Sequence, residues 1–354
     1  MTSVLFVTDA WYPQINGVVR TLEYTARELE QRNIRVEFVT PRDFRTVPCP
    51  TYPDIRLSLT TRRRLRRLIE QFDCEHLHIA TEGPLGLLAG AAARKMGRCF
   101  TTSYHTRFPE YVAARFPVPL GPLYAWLRRF HNFGSGCMVA TSMLENDLRS
   151  RGFRNLMPWT RGVDVDQFHP FETSVFPETL PRPVFLYVGR VAVEKNIEAF
   201  LALDLPGSKV VVGDGPQLES LRGTYPGVHF TGAKSGEDLA RHFAGADVFV
   251  FPSRTDTFGM VLLEALACGT PVAAFPVMGP VDVIGNGNVG VLSEDLRSAC
   301  LKALELPRDA CRKAALKQSW AACSDQFLAN IERAKKAFEA TRPGRLQSVS
   351  GPPL

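Results

Sequence analysis

The chain has 354 residues, which is enough for two domains of ordinary size. Its 45% hydrophobic and 22% charged residues are typical of a globular protein, and no apolar run approaches the roughly 20 residues that span a bilayer. The first 17 residues lack a basic region and enter a strand pattern at once, so we expect no signal peptide. The eight cysteines include no C-x-x-C pair, so we expect reduced thiols in a cytoplasmic protein and no metal cluster.

The net charge of +6 is unevenly distributed along the chain. Residues 1–165 contain 23 Lys and Arg against 15 Asp and Glu, whereas the remaining residues contain 19 against 21. A basic first half suits an anionic partner, either nucleic acid or an anionic membrane surface. An ordinary solvated basic face would give the same count, so the charge alone does not decide among these three.

Short apolar runs alternate with helical stretches in the first half of the chain. Strands are predicted at Ser3–Thr8, Val36–Thr40, His76–Ala80, Cys99–Tyr104 and Cys137–Thr141. Helices are predicted at Val18–Gln31 and Pro84–Met96. This alternation predicts a parallel sheet with helices on both of its faces.

The pattern pauses between residues 161 and 183, where prolines and the lack of periodicity predict an interdomain linker. It then resumes with predicted strands at Val184–Val188, Lys209–Val212, His229–Phe230, Val248–Phe251 and Pro271–Phe275. The predicted fold is therefore α/β, with two Rossmann-like domains whose parallel sheets face a central cleft. Such folds bind ligands at the carboxyl ends of their strands.

The predicted division places the first domain at residues 1–165, the linker at 166–183 and the second domain at 184–320. A last helix, over residues 321–342, is expected to pack back toward the first domain. Residues 343–354 are polar and contain Pro and Gly, so a disordered tail is expected there.

Two basic residues follow the strand Val184–Val188, within the run Gly189-Arg190-Val-Ala-Val-Glu-Lys195-Asn. Two cations near a helix N-terminus suit a diphosphate, although solvated basic residues in a loop are the alternative. Gly215 and Gly232 end the next two strands, where a residue without a side chain lets a ligand approach the backbone. A simple turn is the alternative for Gly215, and Gly232 would let a nucleobase approach the main chain.

The segment Phe251–Val272 combines a loop, a buried helix predicted at Phe258–Cys268 and the start of another strand. Asp256 lies in the loop, and Glu264 lies within the helix among apolar residues. A buried glutamate is unfavourable unless it is hydrogen-bonded, and ribose or sugar hydroxyls would be suitable partners. A helix N-cap for Asp256 and a structural hydrogen bond for Glu264 are the alternatives. The agreement of spacing, loop and helix favours a site for a polyhydroxylated ligand.

Two residues of the first domain are candidates for the same cleft. Gly17 lies at the tip of the first strand-to-helix loop, where a phosphate or sugar would approach the backbone. His105 ends the strand Cys99–Tyr104 and is expected to face the cleft, where it would hydrogen-bond a sugar hydroxyl. A turn glycine and a structural histidine are the alternatives.

Two further segments suit a surface role. Thr60–Phe72 places five arginines around a few apolar residues, and Phe108–Phe133 combines aromatic residues and prolines with Arg128 and Arg129. Basic amphipathic segments lie on anionic lipid, and we favour membrane contact slightly over ordinary surface helices because both segments belong to the more basic domain.

The motifs GR-x3-EKN, GDGP and D-TFG-x4-E-ALA-x-G-TPV, in this order, resemble family 4 retaining glycosyltransferases of the GT-B fold over nearly the whole chain. The resemblance implies that Arg190 and Lys195 hold the donor diphosphate and that Glu264 binds the ribose. It further implies that Asp256 and His105 contact the transferred sugar. The remaining donor-binding positions are backbone positions, namely Gly17, Gly189, Gly215, Gly232, Thr257, Phe258 and Gly259.

The chain departs from the family pattern at two positions. Asp256 stands where the family usually has Glu, and Arg161 stands where the linker motif N-G-V-D usually has Asn. The segments SYHTRFPEY and TDTFG are nearest to the lipid-glycosylating subgroup. That subgroup includes sulfoquinovosyl-diacylglycerol synthases, diacylglycerol glycosyltransferases and GDP-mannose-dependent mannosyltransferases.

The resemblance implies an enzyme peripheral to the inner face of the cell membrane. It would transfer a hexose or uronic acid, of the glucose or glucuronic acid type, from a UDP-sugar to diacylglycerol, giving an α-glycosyl diacylglycerol. Because Arg190 and Lys195 would stabilise the leaving diphosphate, no metal or other cofactor is required, and Asp164-x-Asp166 in the linker is assigned no metal.

Two alternatives stay open. The first is a GDP-mannose-dependent α-mannosyltransferase with a lipid or glycan acceptor. The second is a non-catalytic protein that binds nucleotide-sugars or nucleic acid, although the intact set of Arg190, Lys195 and Glu264 disfavours it. We therefore expect a nucleotide-sugar donor, a lipid acceptor and an anionic membrane surface as partners, and no nucleic acid.

Overall fold

The computed structural model describes residues 2–14, 16–49, 52–113, 116–285 and 287–341. Its strands are β1 Ser3–Val7, β2 Arg35–Val39, β3 Arg45–Cys49, β4 Tyr52–Leu59, β5 His76–Ile79, β6 Thr101–Tyr104, β7 Gly136–Val139, β8 Leu156–Pro158, β9 Val184–Val188, β10 Ser208–Val212, β11 His229–Gly232, β12 Val248–Phe251, β13 Val272–Ala274 and β14 Gly290–Leu292.

The helices are α1 Gly17–Gln31, α2 Arg62–Phe72, α3 Pro84–Met96, α4 Phe108–Ala113, α5 Leu120–His131, α6 Ser142–Ser150, α7 Glu198–Leu201, α8 Leu218–Thr224, α9 Gly236–Gly245, α10 Met260–Ala267, α11 Pro280–Ile284, α12 Leu296–Ala303, α13 Arg308–Ala315 and α14 Trp320–Ala340. Short 3₁₀ turns occur at Pro41–Asp43 and Val193–Lys195.

Two six-stranded parallel sheets form the centres of the two domains. The first has the strand order β2-β1-β5-β6-β7-β8, and the second has the order β11-β10-β9-β12-β13-β14. Every residue of β1, β5, β9 and β12 is buried, as expected for parallel strands covered by helices on both faces. The predicted α/β fold with two parallel sheets is therefore confirmed.

The structure also contains elements that the sequence pattern did not predict. The strands β3 and β4 form an antiparallel hairpin outside both main sheets, and β8 and β14 are three-residue edge strands. These segments are short or polar, so they lack the buried apolar runs from which the other strands were predicted. The expected disordered tail, residues 343–354, lies outside the described residues.

The last helix, α14, crosses from the second domain to the first. Its Phe327 ring lies 5.3 Å from the ring of Phe6 in β1, and its Lys335 ammonium pairs with Glu75 at 2.5 Å. Tyr24 of α1 stacks on Trp320 at the start of α14, with ring centroids 4.8 Å apart. The helix therefore completes the core of the first domain although it lies at the far end of the sequence.

Further contacts close the two domains on each other. The Thr257 hydroxyl donates to the carbonyl oxygen of His105 at 2.6 Å, and the Met143 amide donates to Asp282 at 3.3 Å. Met278 of the second domain packs into an apolar cluster of the first domain. The carboxyl ends of the two sheets consequently meet across a narrow interface.

Glycines in the second domain let two loops pack backbone against backbone. A Cβ atom added at Gly213 would lie 1.8 Å from the Gly189 carbonyl oxygen, and one at Gly215 would lie 2.4 Å from that of Val191. The Val191 amide in turn donates to the Asp214 carbonyl oxygen at 2.9 Å. The glycines in the GR and GDGP motifs therefore have a structural reason of their own, independent of any ligand.

Replacing Gly213 with Ala should lower the free energy of unfolding by more than about 2 kcal/mol, because the new methyl group clashes with a rigid carbonyl rather than a flexible side chain. Gly223→Ala in α8 is the matched control, since nothing lies within 4 Å of its added Cβ. Urea denaturation of both variants measures the difference. Equal stability of the two variants would contradict this account of the loop packing.

Candidate functional site

The carboxyl ends of β9 and β12 bring two predicted site residues into direct contact. Lys195 ends the 3₁₀ turn after β9, and Asp256 lies in the loop after β12. The Lys195 ammonium lies 2.5 Å from Asp256 Oδ1, and both side chains are largely buried. Burial opposes the charge on Lys195, but the Asp256 carboxylate outweighs it and raises the Lys195 pKa, so the lysine is a cation at neutral pH.

The loops that carry this ion pair are held together by further hydrogen bonds. The Thr255 hydroxyl donates to the Glu194 carbonyl oxygen at 3.1 Å, and the Asn196 amide donates to that of Pro252 at 3.0 Å. Tyr111, from α4 of the first domain, hydrogen-bonds to Thr255 close to the same pair, and burial raises its pKa. Arg190 is half-buried directly after β9, on the same edge of the sheet.

Glu264 lies inside α10 with only 3% of its surface exposed. Its Oε1 accepts a hydrogen bond from Arg20 Nη1 at 2.6 Å, so a residue of α1 in the first domain neutralises a residue of the second. Burial raises the Glu264 pKa, and Arg20 offsets part of that rise. The unfavourable burial of the Glu264 carboxyl is therefore offset by Arg20 from the other domain.

His105 follows β6, and both its backbone and its ring form hydrogen bonds. Its carbonyl oxygen accepts from Thr257, and its ring Nδ1 lies 3.0 Å from Arg161 Nη2. The ring edge also faces Trp159, with centroids 5.7 Å apart. Burial lowers the His105 pKa well below its usual value, and Arg161 lowers it further, so the imidazole is neutral.

The predicted glycine and backbone positions lie around these groups. Gly17 is the first residue of α1, and a Cβ atom there would lie 3.5 Å from Met260 Sδ. Gly259 has a φ of +81° and leads into α10 directly after the buried Phe258. Gly232 has a φ of +74° and open space where a side chain would be. Of these three glycines, Gly232 has the most open surroundings.

Three of the predicted site residues share one property. In each side chain, one polar atom forms a hydrogen bond or ion pair. A second, buried polar atom of the same side chain has no hydrogen-bond partner among the residues that the structure describes. These second atoms are His105 Nε2, Asp256 Oδ2 and Glu264 Oε2. Buried polar atoms are normally paired, so these three are candidates for contact with a ligand, whereas other atoms, such as Asp282 Oδ2 and the Trp159 indole nitrogen, are unpaired in the same way. One nitrogen and two carboxylate oxygens match the donors and acceptors of a polyhydroxylated molecule.

Sequence reasoning missed Arg20, Tyr111 and the contact that Arg161 makes. Arg20 and Tyr111 belong to the first domain but reach residues of the second, and no pattern within either half reports such a contact. A buried Glu264 did signal that some cation or donor was needed nearby. The position of Arg161 was noted as a departure, but its partner could not be read from the sequence.

The D-x-D sequence in the linker has a local role. Asp164 Oδ1 accepts from the backbone amides of Asp166 and Gln167 at 3.2 and 3.0 Å, and its Oδ2 accepts from the Tyr24 hydroxyl at 3.4 Å. Asp164 therefore stabilises a turn and ties it to α1.

Two other features lie away from the cleft. A cavity of about 450 Å³ is bordered by Arg94, Arg98 and Phe100, and it lies at the amino ends of β6, β7 and β8. Glu75, His76 and Glu332 bring ligand-type atoms within 4.8 Å of one another, but Lys335 already pairs with Glu75. These features tie α14 to the first domain and do not share residues with the cleft.

Arg20→Ala should reduce stability in a pH-dependent way. The raised Glu264 pKa means that the folded state keeps this proton to a higher pH than the unfolded chain, so the carboxyl's contribution to stability falls as pH rises through its folded pKa. Without Arg20 the pKa rises further. The free energy of unfolding should therefore fall by about 1–3 kcal/mol at neutral pH.

At about pH 5, where Glu264 is more fully protonated, the difference between this variant and the wild type should shrink. Urea denaturation between about pH 5 and neutral pH measures the difference in the free energy of unfolding. Arg27→Ala, an exposed position on the same helix, is the control and should show no such dependence. A loss of equal size at every pH would contradict the pairing of Arg20 with an ionised Glu264.

Comparison with known proteins agrees with this architecture. Residues 15–167 match the model for "Glycosyltransferase Family 4", and residues 182–306 match the model for "Glycosyl transferases group 1". A sucrose-phosphate synthase structure from Thermosynechococcus elongatus superposes with a TM-score of 0.75 at 20% identity, covering 95% of this chain and all of that one. This structural likeness concerns the fold.

Two curated relatives extend the comparison. A GDP-mannose-dependent α-mannosyltransferase of Mycobacterium tuberculosis is 30% identical, with 93% of this chain and 96% of the relative covered. An α-monoglucosyldiacylglycerol synthase of Streptococcus pneumoniae is 26% identical, with 84% and 77% covered. The fold, the two matched models and the nearly full-length similarity agree, and the chain belongs to glycosyltransferase family 4 with the two-domain GT-B fold.

Proposed function

We propose that this glycosyltransferase moves a hexose or uronic acid from a UDP-sugar to diacylglycerol, giving an α-glycosyl diacylglycerol with retention of configuration. The proposal rests on three side chains that each keep one unpaired buried polar atom, His105, Asp256 and Glu264. They lie near the cationic Lys195. Together they offer hydrogen bonds to hydroxyl groups and a positive charge to a diphosphate.

Each residue has a role that follows from its surroundings. Lys195 and Arg190, at the carboxyl end of β9, would hold the diphosphate and stabilise the charge that develops as it leaves. Glu264 Oε2 would accept hydrogen bonds from the ribose hydroxyls, while Arg20 keeps Oε1 neutralised. Asp256 Oδ2 and His105 Nε2 would contact the transferred sugar.

The proposed chemistry requires little from the protein beyond positioning and charge. The acceptor hydroxyl approaches the anomeric carbon on the face of the departing diphosphate, whose oxygen takes the hydroxyl proton. This front-face course gives retention. The lysine and arginine supply the electrostatic stabilisation that a metal ion provides in other enzymes, so we propose that no metal is needed.

The donor has a second candidate. A GDP-mannose-dependent reaction is supported by the similarity to the mycobacterial mannosyltransferase, whereas diacylglycerol as acceptor is supported by the similarity to the monoglucosyldiacylglycerol synthase. The residues placed around the diphosphate, ribose and sugar would serve either nucleotide. The base and the sugar are therefore questions for experiment.

The lipid acceptor is also supported by an exposed apolar patch on the first domain. The patch comprises the outward-facing hydrophobic side chains of α4, α5 and their connection, namely Phe108, Phe116, Val118, Leu120 and Trp126. Arg128 and Arg129, also exposed, follow on α5. Apolar side chains flanked by cations suit the surface of an anionic bilayer. None of the helices that the structure describes is long and apolar enough to cross a membrane.

The test of the proposed reaction is a panel of UDP- and GDP-sugars offered with diacylglycerol in mixed micelles. Mass spectrometry identifies the product, and the anomeric coupling in its NMR spectrum gives the stereochemistry. We expect an α-linked glycosyl diacylglycerol from one UDP-sugar. Mannosyl transfer from GDP-mannose alone would establish the alternative donor, and no transfer from any donor would overturn the proposed activity.

Lys195→Ala should lower kcat by about 10²–10³-fold with the productive donor, because it removes a charge that acts on the leaving group. Lys302→Ala on α12 is the matched control, since that lysine is exposed and lies outside the cleft. Steady-state kinetics on both variants measure the difference. Retention of full activity by Lys195→Ala would exclude it from catalysis.

The membrane surface has its own test. The double substitution Leu120→Ser with Trp126→Ser should weaken binding to anionic liposomes at least about tenfold, because two exposed apolar side chains no longer enter the bilayer interface. The control pair is Leu304→Ser with Leu316→Ser, which removes exposed leucines from the second domain. Liposome sedimentation compares them, and equal weakening by both pairs would locate the membrane contact elsewhere.

A further inference from the structure

Arg161 is a buried cation that is not neutralised by an acid. The residue is only 5% exposed, and it forms no ion pair with any carboxylate among the described residues. Instead Nη1 donates to the carbonyl oxygens of Trp159 and Thr160 at 2.5 and 2.8 Å, and the guanidinium lies over the Trp159 ring at 4.6 Å. Burial lowers the Arg161 pKa to about 10, which still leaves it charged at neutral pH.

The remaining arm of Arg161 faces His105. Nη2 lies 3.0 Å from Nδ1 of the imidazole. A guanidinium has only N–H donors, so Nδ1 must be the acceptor in this contact and cannot itself carry a hydrogen. A neutral imidazole with a bare Nδ1 carries its hydrogen on Nε2. A doubly protonated ring would place a donor, and a second positive charge, against the guanidinium.

The Nε2 atom is therefore a hydrogen-bond donor. It is buried and has no partner among the described residues, although the ring is held through Nδ1 and the backbone is held by Thr257. Since Thr257 follows Asp256 directly, the same contact places His105 beside the loop that carries the acidic residue of the cleft. An unpaired N–H donor at this position is available to an acceptor from outside the protein, such as a ligand oxygen.

We infer that Arg161 is a positioning residue, which fixes His105 as the neutral imidazole protonated on Nε2 and so reserves that N–H for an oxygen atom of the bound ligand. His105 then donates a hydrogen bond and does not act as a general base. The identity of the ligand oxygen, in a sugar hydroxyl or in the diphosphate, rests on the proposed function. The protonation state of His105 does not.

The charged and titratable groups near His105 agree with a neutral ring. Arg161 approaches from the linker, His78 from β5 and His131 from α5. His78 is neutral, because burial lowers its pKa to about 3, and its two nitrogens bond to Thr101 and Ser103 at 2.8 Å. His131 contacts Glu82 at 3.0 Å; burial opposes its charge, but Cys137 and Glu82 outweigh burial and raise the His131 pKa to about 10, so this cation also disfavours a charge on His105.

The direct test is ¹⁵N NMR of the free, full-length protein labelled at histidine. The His105 signals are assigned by their disappearance in His105→Gln. We expect a non-protonated Nδ1 and a protonated Nε2 whose shifts stay constant between about pH 5.5 and pH 8.5. A hydrogen on Nδ1, or titration within that range, would overturn the inference. Because no ligand or substrate is present, this outcome is independent of the proposed reaction.

Two variants separate the hydrogen bond from mere packing. Arg161→Lys keeps N–H donors on a side chain of nearly the same length, whereas Arg161→Met keeps much of the volume but has no donor. We expect Arg161→Met to release His105, so that its signals show both tautomers or titrate, and to lower kcat/KM at least about tenfold. Arg161→Lys should retain the Nε2–H tautomer and lose less activity.

Equal behaviour of the two variants would contradict a role through His105. If both variants fail to fold, the spectrum of the wild-type protein still decides the tautomer. A wild-type spectrum as expected, together with no transfer from any nucleotide-sugar, would leave the Arg161 inference intact and reject the proposed reaction. A wild-type spectrum that shows a hydrogen on Nδ1, together with sugar transfer from a nucleotide-sugar, would reject the Arg161 inference and leave the proposed reaction intact.

Discussion

Charged groups buried between the domains must be neutralised or hydrogen-bonded, and this constraint governs the cleft. Lys195 pairs with Asp256 between two loops of the second domain, while Glu264 takes its cation, Arg20, from the first. An unpaired buried charge would be strongly destabilising, so the Arg20–Glu264 pair favours the closed arrangement of the domains. The polar atoms that stay unpaired are then the ones available to a ligand.

This dependence links the proposed donor site to the relative position of the domains. Separation of the domains would remove Arg20 from Glu264 and Thr257 from His105. A donor that bound Glu264 and His105 together would hold both domains in the same place as those contacts do. We therefore expect binding of the nucleotide-sugar and closure of the cleft to be coupled.

Much of the fold followed from local patterns. The central strands β1, β5, β9 and β12 are buried apolar runs and were predicted within a few residues, whereas the short edge strands β8 and β14 and the β3–β4 hairpin lack such a run and were missed. The loop and helix around Asp256 and Glu264 were recognisable because a buried acid is conspicuous in an apolar helix. Their partners were not, because the contacts to Arg20 and Arg161 join segments far apart in the chain.

The glycine motifs illustrate a further limit of sequence reasoning. Gly215 was predicted as a donor-binding position, yet its lack of a side chain is already required by the close approach of the Val191 backbone. Gly232 is different, because its surroundings are open and only its backbone conformation favours glycine. A motif can therefore reflect loop packing and ligand approach at once, and only the three-dimensional contacts separate the two.

The most direct test of the central claim is a crystal structure of the protein bound to UDP, and another with GDP. The account predicts that the diphosphate of the bound nucleotide lies against Lys195 and Arg190, and that its ribose hydroxyls lie within hydrogen-bond distance of Glu264 Oε2. A nucleotide bound elsewhere, for example in the cavity bordered by Arg94 and Arg98, with the Lys195–Asp256 and Arg20–Glu264 pairs undisturbed, would contradict it.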